Sequence, residues 1–77
     1  MKRYRAIISA KGEEREPLDW IEVFSESLYG ARIKAALQID SEYVEVYGTS
    51  VYKWMRVRLE DEDGKTTRWY TLKSLAK

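Results

Sequence analysis

Residues 51–72 of the chain read VYKWMRVRLEDEDGKTTRWYTL and decide the fold expected for the whole sequence. Apolar residues alternate with others along the first half of the stretch, which is typical of a half-buried β-strand. Asp63-Gly64 favours a tight type I′ hairpin turn. Counting back from a two-residue loop pairs Val57 with Tyr70 and, in the same register, Arg56 with Thr71. We therefore predict an antiparallel hairpin with one apolar face.

The second face of this hairpin is rich in aromatic and basic residues. Tyr52, Trp54, Arg56 and Arg58 alternate with the apolar residues, and the predicted register places Trp69 opposite Arg58. These residue types anchor protein interfaces, and rings beside guanidiniums also suit stacked bases and phosphates. Three interpretations follow: a curled sheet whose rings pack on one another, a protein-binding surface, or a nucleic-acid-binding surface.

Two further strands are expected before the helix. β-branched and aromatic residues indicate strands from Lys2 to Ala10 and from Asp19 to Ser25, separated by a charged loop over residues 11–18. In the second strand, Trp20 and Phe24 alternate with other apolar residues, so both of its faces have apolar bulk.

A helix and another strand complete the expected order. Ser25 or Ser27 can cap a helix that ends near Ile39. The alternation in residues 42–47 predicts a strand with its two valines inward and Tyr43 and Tyr47 outward. The expected fold is α+β, a curved antiparallel sheet of about five strands with one helix on one face, in the order β-β-α-β-β-β. Its predicted core includes Leu28, Ala35, Val44, Val46, Val57 and Leu72.

Composition narrows the class of function. Seventy-seven residues suit a single domain, residues 1–77. The chain has no cysteine and no histidine, so disulfides, thiolate chemistry and histidine-based metal or acid–base sites are excluded. Its apolar runs fall well short of the ~20 residues that span a bilayer. We expect no enzyme, no cofactor, no metal and no membrane, and a cytoplasmic location.

Charge is segregated although the net charge is only +1. Seven of the thirteen acidic residues lie in two short runs, residues 13–16 and 60–63. The remaining strands and helix are therefore basic. This local excess of positive charge influences the choice of partner more than the net charge does.

From its second strand onward, the sequence resembles the small phage-encoded anti-CRISPR proteins that inhibit type I surveillance complexes, and it is most similar to the ninth type I-F inhibitor family. The shared pattern is Ile21-Glu22, then Ser27-Leu28, Ala31 followed by basic Arg32, and Glu62-Asp63-Gly64-Lys65 before Trp69. The resemblance implies a helix cradled by a curved sheet and a protein that sits on the backbone subunits of a CRISPR effector. It also implies that Arg32 occupies a place meant for nucleic acid.

The sequence therefore predicts a non-enzymatic binding protein, an anti-CRISPR inhibitor that occludes the nucleic-acid site of its target in the host cytoplasm. The expected partner-binding residues are Arg32, Tyr52, Trp54, Arg56, Arg58 and Trp69. The alternatives are a small RNA- or DNA-binding module that uses the same sheet face, and a homodimer whose outer sheet faces meet. For Arg32 the competing interpretation is structural, with its stem over the edge of the core.

Overall fold

A four-stranded antiparallel sheet forms the centre of the computed structural model, which describes residues 1–77. The sheet consists of β1 (Lys2–Ala10), β2 (Asp19–Ser25), β3 (Met55–Glu60) and β4 (Tyr70–Thr71), in the spatial order β2-β1-β3-β4. β1 pairs with both β2 and β3, so the first strand of the sequence lies inside the sheet. The α+β class and the antiparallel sheet are confirmed, but the sheet has four strands rather than about five.

The register of the final hairpin is as predicted next to the sheet. Val57 pairs with Tyr70, and the neighbouring pair is Arg56 with Thr71. Closer to the turn, Glu60 pairs with Thr66. Between this pair and the pair of Val57 with Tyr70, the returning strand has one residue more than β3. A β-bulge of this kind raises the local twist of the hairpin.

The hairpin turn differs from the predicted two-residue type I′ loop. That loop needs positive φ at both central residues, whereas only Gly64 has it, at +82°. Asp61 closes a longer turn: its carbonyl accepts from Gly64 N at 3.1 Å and its N–H donates to Lys65 O at 2.9 Å. The Asp61 carboxylate also accepts from the N–H groups of Asp63 and Lys65. These bonds stabilise the longer turn.

The predicted helix is present and ends at Ile39, as expected. α1 (Leu28–Ile39) begins at Ser27, whose hydroxyl accepts from Gly30 N at 3.1 Å. Beyond α1, the backbone stays helical through a π-helical turn (Asp40–Val44) and α2 (Glu45–Tyr47).

The strand predicted over residues 42–47 is therefore wrong. The chain has no glycine or proline between Gly30 and Gly48, and the helical stretch ends at Gly48, which has φ of +76°. Helical spacing stacks the rings of Tyr43 and Tyr47 with centroids 5.9 Å apart. A helix that has started and meets no breaker before Gly48 outweighs the strand preference of the valines and tyrosines here.

Short helical elements follow on both sides of the last hairpin. A 3₁₀ turn (Gly48–Ser50) leads into α3 (Val51–Trp54), and α4 (Leu72–Leu75) ends the fold. β3 therefore starts at Met55 and not at the predicted Val51. Thr71 and Ser74 form a capping box that starts α4 and stops β4 after two residues. No helix combines the length and the apolar character needed to cross a bilayer.

The core lies between the helical layer and one face of the sheet. It contains fifteen buried apolar residues: Tyr4, Ala6, Ile8, Val23, Ala31, Ala35, Ala36, Ile39, Val51, Met55, Val57, Leu59, Tyr70, Leu72 and Leu75. The core predictions are confirmed for Ala35, Val57 and Leu72. They are wrong for Leu28 and Val46, which are exposed, and Val44 is only half-buried. The helical backbone over residues 42–47 removes the two-residue alternation that would have turned both valines inward.

Val57→Ala is expected to reduce the free energy of unfolding by about 1–3 kcal/mol, because it removes two buried methyl groups and leaves a cavity. Chemical denaturation measures the change. Val46→Ala is the matched control: Val46 is 72% exposed, so the same substitution should cost less than about 0.5 kcal/mol. Equal effects at the two valines would contradict the observed core.

Tyr43 connects the π-helical turn to the start of β2 by a hydrogen bond, and the contribution of this bond to stability can be tested at high pH. Its hydroxyl donates to Asp19 Oδ2 at 2.9 Å. Burial raises the pKa of Tyr43 to about 12, with further contributions from the hydrogen bond and from the negative charge of Asp19. The neutral phenol is favoured in the folded state, so its stabilisation is present below the ordinary pKa of 10.0 and is lost as pH rises toward 12.

We expect the free energy of unfolding to fall between pH 10 and pH 12 more steeply in the wild type than in Tyr43→Phe. Denaturation at a series of pH values measures both slopes. Tyr29→Phe, which changes an exposed ring, should keep the wild-type slope. Parallel curves for the wild type and Tyr43→Phe would show that the hydroxyl contributes nothing.

Candidate binding site on the open sheet face

The two faces of the sheet have different surroundings. The helices pack on the face to which β1 contributes Tyr4, Ala6 and Ile8, all buried. On the opposite face, β1 presents Arg3, Arg5 and Ile7, which alternate with them. We call this second surface the open face. Its side chains are Arg3, Arg5, Ile7, Trp20, Glu22, Phe24, Arg56, Arg58 and Glu60, with Trp69 at its margin.

One row of side chains crosses the whole open face. Ile7 on β1 is paired with Trp20 on β2 and with Arg58 on β3. The Arg58 guanidinium lies over the ring of Trp69, 4.8 Å from its centroid. A tryptophan therefore lies at each end of the row, and three strand spacings place the two roughly 14 Å apart. Trp20 is 48% exposed.

A second row places a guanidinium between two carboxylates. Arg5 is paired with Glu22 on one side and Glu60 on the other, and its Nη1 lies 3.7 Å from Glu60 Oε1. Its guanidinium also lies over the ring of Trp20, 4.4 Å from the centroid. Cation–π contact fixes the ring and the charge relative to each other.

The open face has an excess of positive charge. It contains four arginines and two glutamates, and both glutamates flank Arg5. The only side-chain ion pair is Arg5 with Glu60, so Arg3, Arg56 and Arg58 have no carboxylate partner. Arg58 Nε is also buried without a hydrogen-bond acceptor. Such unsatisfied groups are uncommon in folded proteins.

An acidic loop limits the open face at the Trp69 end. Ser9 lies in the same alternation as Ile7 but is buried, because the loop between β1 and β2 folds over it. The Ser9 hydroxyl donates to Glu13 O at 2.8 Å. Residues 12–16 of this loop line a shallow pocket together with Trp69. Negative charge therefore borders the basic surface at one end.

Three of the predicted site residues meet on the open face, and three do not. Arg56, Arg58 and Trp69 lie there, as the hairpin register predicted. Tyr52 and Trp54 were predicted on the same face, and the structure corrects this: both lie on α3, before β3 begins.

The side chains of Tyr52 and Trp54 pack against the helical side of the core. The Tyr52 hydroxyl donates to the Asp40 carboxylate, which raises the pKa of Tyr52. Trp54 meets the ring of Tyr47 edge-on, with centroids 6.3 Å apart. These contacts hold α2 and α3 together, away from the open face.

The sixth predicted residue, Arg32, binds the end of the chain. Its Nε donates to Leu75 O at 3.1 Å, and its Nη2 donates to Ser74 O at 3.0 Å and Lys77 O at 2.7 Å. The guanidinium also lies over the ring of Tyr70, 4.5 Å from the centroid. A cation that satisfies the last carbonyls of a helix stabilises it. These bonds give Arg32 a structural role that accounts for its position on α1.

Sequence reasoning missed the part of the open face that comes from β1 and β2. Trp20 and Phe24 alternate with core residues of β2, so their place on one outer face was visible in the pattern. The pairing of β1 with β3 was not visible, since it joins the first strand to a distant one. Without that pairing, Arg3 and Arg5 could not be placed beside Arg58.

No family model, no curated protein and no solved structure matches this chain in the comparisons with known proteins.

Arg32→Ala is expected to lower the free energy of unfolding by about 1–3 kcal/mol, because it removes charge-assisted hydrogen bonds to the last carbonyls of α4 and to Lys77 O. Thermal or chemical denaturation measures the loss. Arg32→Lys should recover little, since an ammonium cannot reach several carbonyls in the planar geometry of a guanidinium. Gln38→Ala, at an exposed position of α1, should stay within about 0.5 kcal/mol of the wild type. Wild-type stability in Arg32→Ala would refute the structural role.

Proposed function

We propose that this chain is a non-enzymatic binding protein that recognises its target through the open face. The observation that supports the proposal is the row Trp20–Ile7–Arg58–Trp69, which crosses a sheet face that no helix covers. Tryptophan and arginine are the residues most enriched among interface anchors. Large exposed aromatic patches are uncommon on proteins that bind nothing.

The chemistry of the face favours binding over catalysis. The chain has no histidine and no cysteine, so a nucleophile–base pair would have to come from other residue types. The carboxylates on the face, Glu22 and Glu60, lie beside the Arg5 guanidinium. The contact of Glu60 with Arg5 is an ion pair at the protein surface, which is a structural contact.

The target that we propose is a type I CRISPR effector complex, with this protein acting as an inhibitor that occludes the nucleic-acid site. The support for this target is the resemblance in Ile21-Glu22, Ser27-Leu28, Ala31-Arg32 and the Gly64 turn. Because Arg32 donates to the carbonyls of Ser74, Leu75 and Lys77, we assign the contacts with the complex to the open face and not to the helix. The open face would bind an acidic surface beside the basic nucleic-acid site, and the bulk of the bound protein would occlude that site.

Charge argues against a homodimer in which two open faces meet. Each face has two more arginines than glutamates, so face-to-face contact would bring like charges together. A target with negative charge complements the face better than a second copy does.

The experiment measures target-DNA binding by a purified type I effector complex at increasing concentrations of this protein. We expect the wild type to block binding, and Trp20→Ala and Trp69→Ala each to weaken the inhibition by at least about 1 kcal/mol, as interface anchors do. Trp54→Ala is the matched control, since this tryptophan lies on α3 and away from the open face.

The outcomes separate the two parts of the proposal. Inhibition that is lost in Trp54→Ala and kept in Trp20→Ala would show that the open face is not the recognition surface. A wild-type protein that leaves every type I complex active would remove the proposed target. Melting curves of the variants exclude loss of folding as the cause.

A further inference from the structure

We propose that the open face binds a short segment of single-stranded nucleic acid, with bases stacked on Trp20 and Trp69 and phosphates held by arginines. This inference rests on the proposed function only in that the open face is the recognition surface. It names the chemistry of the ligand, which is a flexible polyanion with exposed aromatic bases.

The two tryptophans provide separated stacking surfaces on one sheet. They lie at the ends of a row roughly 14 Å long, with the apolar side chain of Ile7 between them. Each ring has a guanidinium over it: the Cζ of Arg5 lies 4.4 Å from the centroid of the Trp20 ring, and the Cζ of Arg58 lies 4.8 Å from that of Trp69. Four-stranded sheets that bind RNA stack two or three bases on aromatic side chains of one face. Stacking tolerates any base, since every base has a π-face.

The distribution of charge complements phosphate. Arg3 and Arg58 have no carboxylate partner. Arg58 lies in the row that contains the tryptophans, and Arg3 lies two residues beyond Arg5 on β1, whereas Arg56 donates to the carbonyls of Lys53 and Met55. A strand that crosses the face can therefore place bases on the rings while its phosphates reach guanidiniums. The acidic loop over residues 13–16 borders the Trp69 end and would repel phosphates beyond it. The bound segment is therefore short.

The size of the face also favours a small ligand. Four strands about 4.8 Å apart and six residues at about 3.3 Å each give an area of roughly 400 Å². Specific protein complexes bury about 800 Å² on each partner, so the open face supplies about half of that and a protein target would also contact surfaces beside it. A few nucleotides fit the area without other surfaces.

The test is a fluorescence titration of dye-labelled octamers of thymidylate and of uridylate, with a blunt duplex of the same length for comparison. We expect single strands to bind and the duplex to bind at least about tenfold more weakly, because paired bases cannot stack on the rings. Trp20→Ala and Trp69→Ala should each weaken binding about 5- to 150-fold, the range of a lost base–aromatic stack. Trp54→Ala should stay within about twofold of the wild type. The two octamers distinguish DNA from RNA as the source of the strand.

A second measurement does not depend on the tryptophan variants being folded. Arg3 is exposed and makes no hydrogen bond or ion pair, so Arg3→Gln should leave the fold intact. It should reduce the slope of log affinity against log salt by about 0.7, the effect of one lost phosphate contact on a single strand. Lys53→Gln, on α3, removes the same charge away from the face and should leave the slope unchanged.

Three results would overturn the inference. Equal affinity for duplex and single strand, with no loss in the tryptophan variants, would show only non-specific attraction of charge. An unchanged salt slope in Arg3→Gln, with Lys53→Gln reducing it, would place the phosphates elsewhere. If no octamer binds while Trp20→Ala still impairs inhibition of the effector complex, the ligand of the open face is a protein and the proposed function stands. If both experiments fail, the open face is not a recognition surface.

Discussion

One helical layer can cover only one face of a sheet, and the arrangement of this protein depends on that constraint. Ala31, Ala35, Ala36 and Ile39 present a narrow buried stripe, and the small alanine side chains let α1 lie close to the sheet. The apolar residues of β1 and β3 fill the space beneath it. The side chains that alternate with them are placed on the other side, where no helix packs and only the β1–β2 loop covers Ser9. Hence the open face results from the topology, and its composition determines what can bind there.

The sequence was sufficient to predict those elements in which local pattern and packing agree. β1 and β2 have the predicted bounds, and Val57 pairs with Tyr70 as the hairpin count indicated. Residues 42–47 show the opposite case, since they alternate like a strand but lie in a helical stretch. A six-residue alternation is weak against a helix that has started and meets no glycine until Gly48. The turn also differs from the predicted two-residue loop, because the Asp61 carboxylate accepts from the N–H groups of Asp63 and Lys65 and stabilises a longer turn.

The candidate site was predictable only within one hairpin. Arg56, Arg58 and Trp69 follow from counting residues across a local turn, whereas Trp20 and Arg5 join them through the pairing of β1 with its neighbours. Trp54 shows that residue type and parity do not by themselves place a side chain on a sheet face. It has the right residue type and the right parity, but α3 precedes β3 and turns the side chain toward Tyr47. Arg32 likewise has the residue type of a contact residue, and its position relative to the last carbonyls could not be read from spacing.

The central pairing of β1 with β3 has a consequence for the order of folding. It joins Ala10 to Met55 and Arg5 to Glu60, which are 45 and 55 positions apart in a chain of 77 residues. The helix and the two hairpins involve near neighbours in sequence and can form early, whereas this pairing must overcome the largest loss of chain entropy. The row from Trp20 to Trp69 is complete only after that step. A partly folded chain would therefore have its hairpins but no binding surface, and recognition would be restricted to molecules whose sheet has closed.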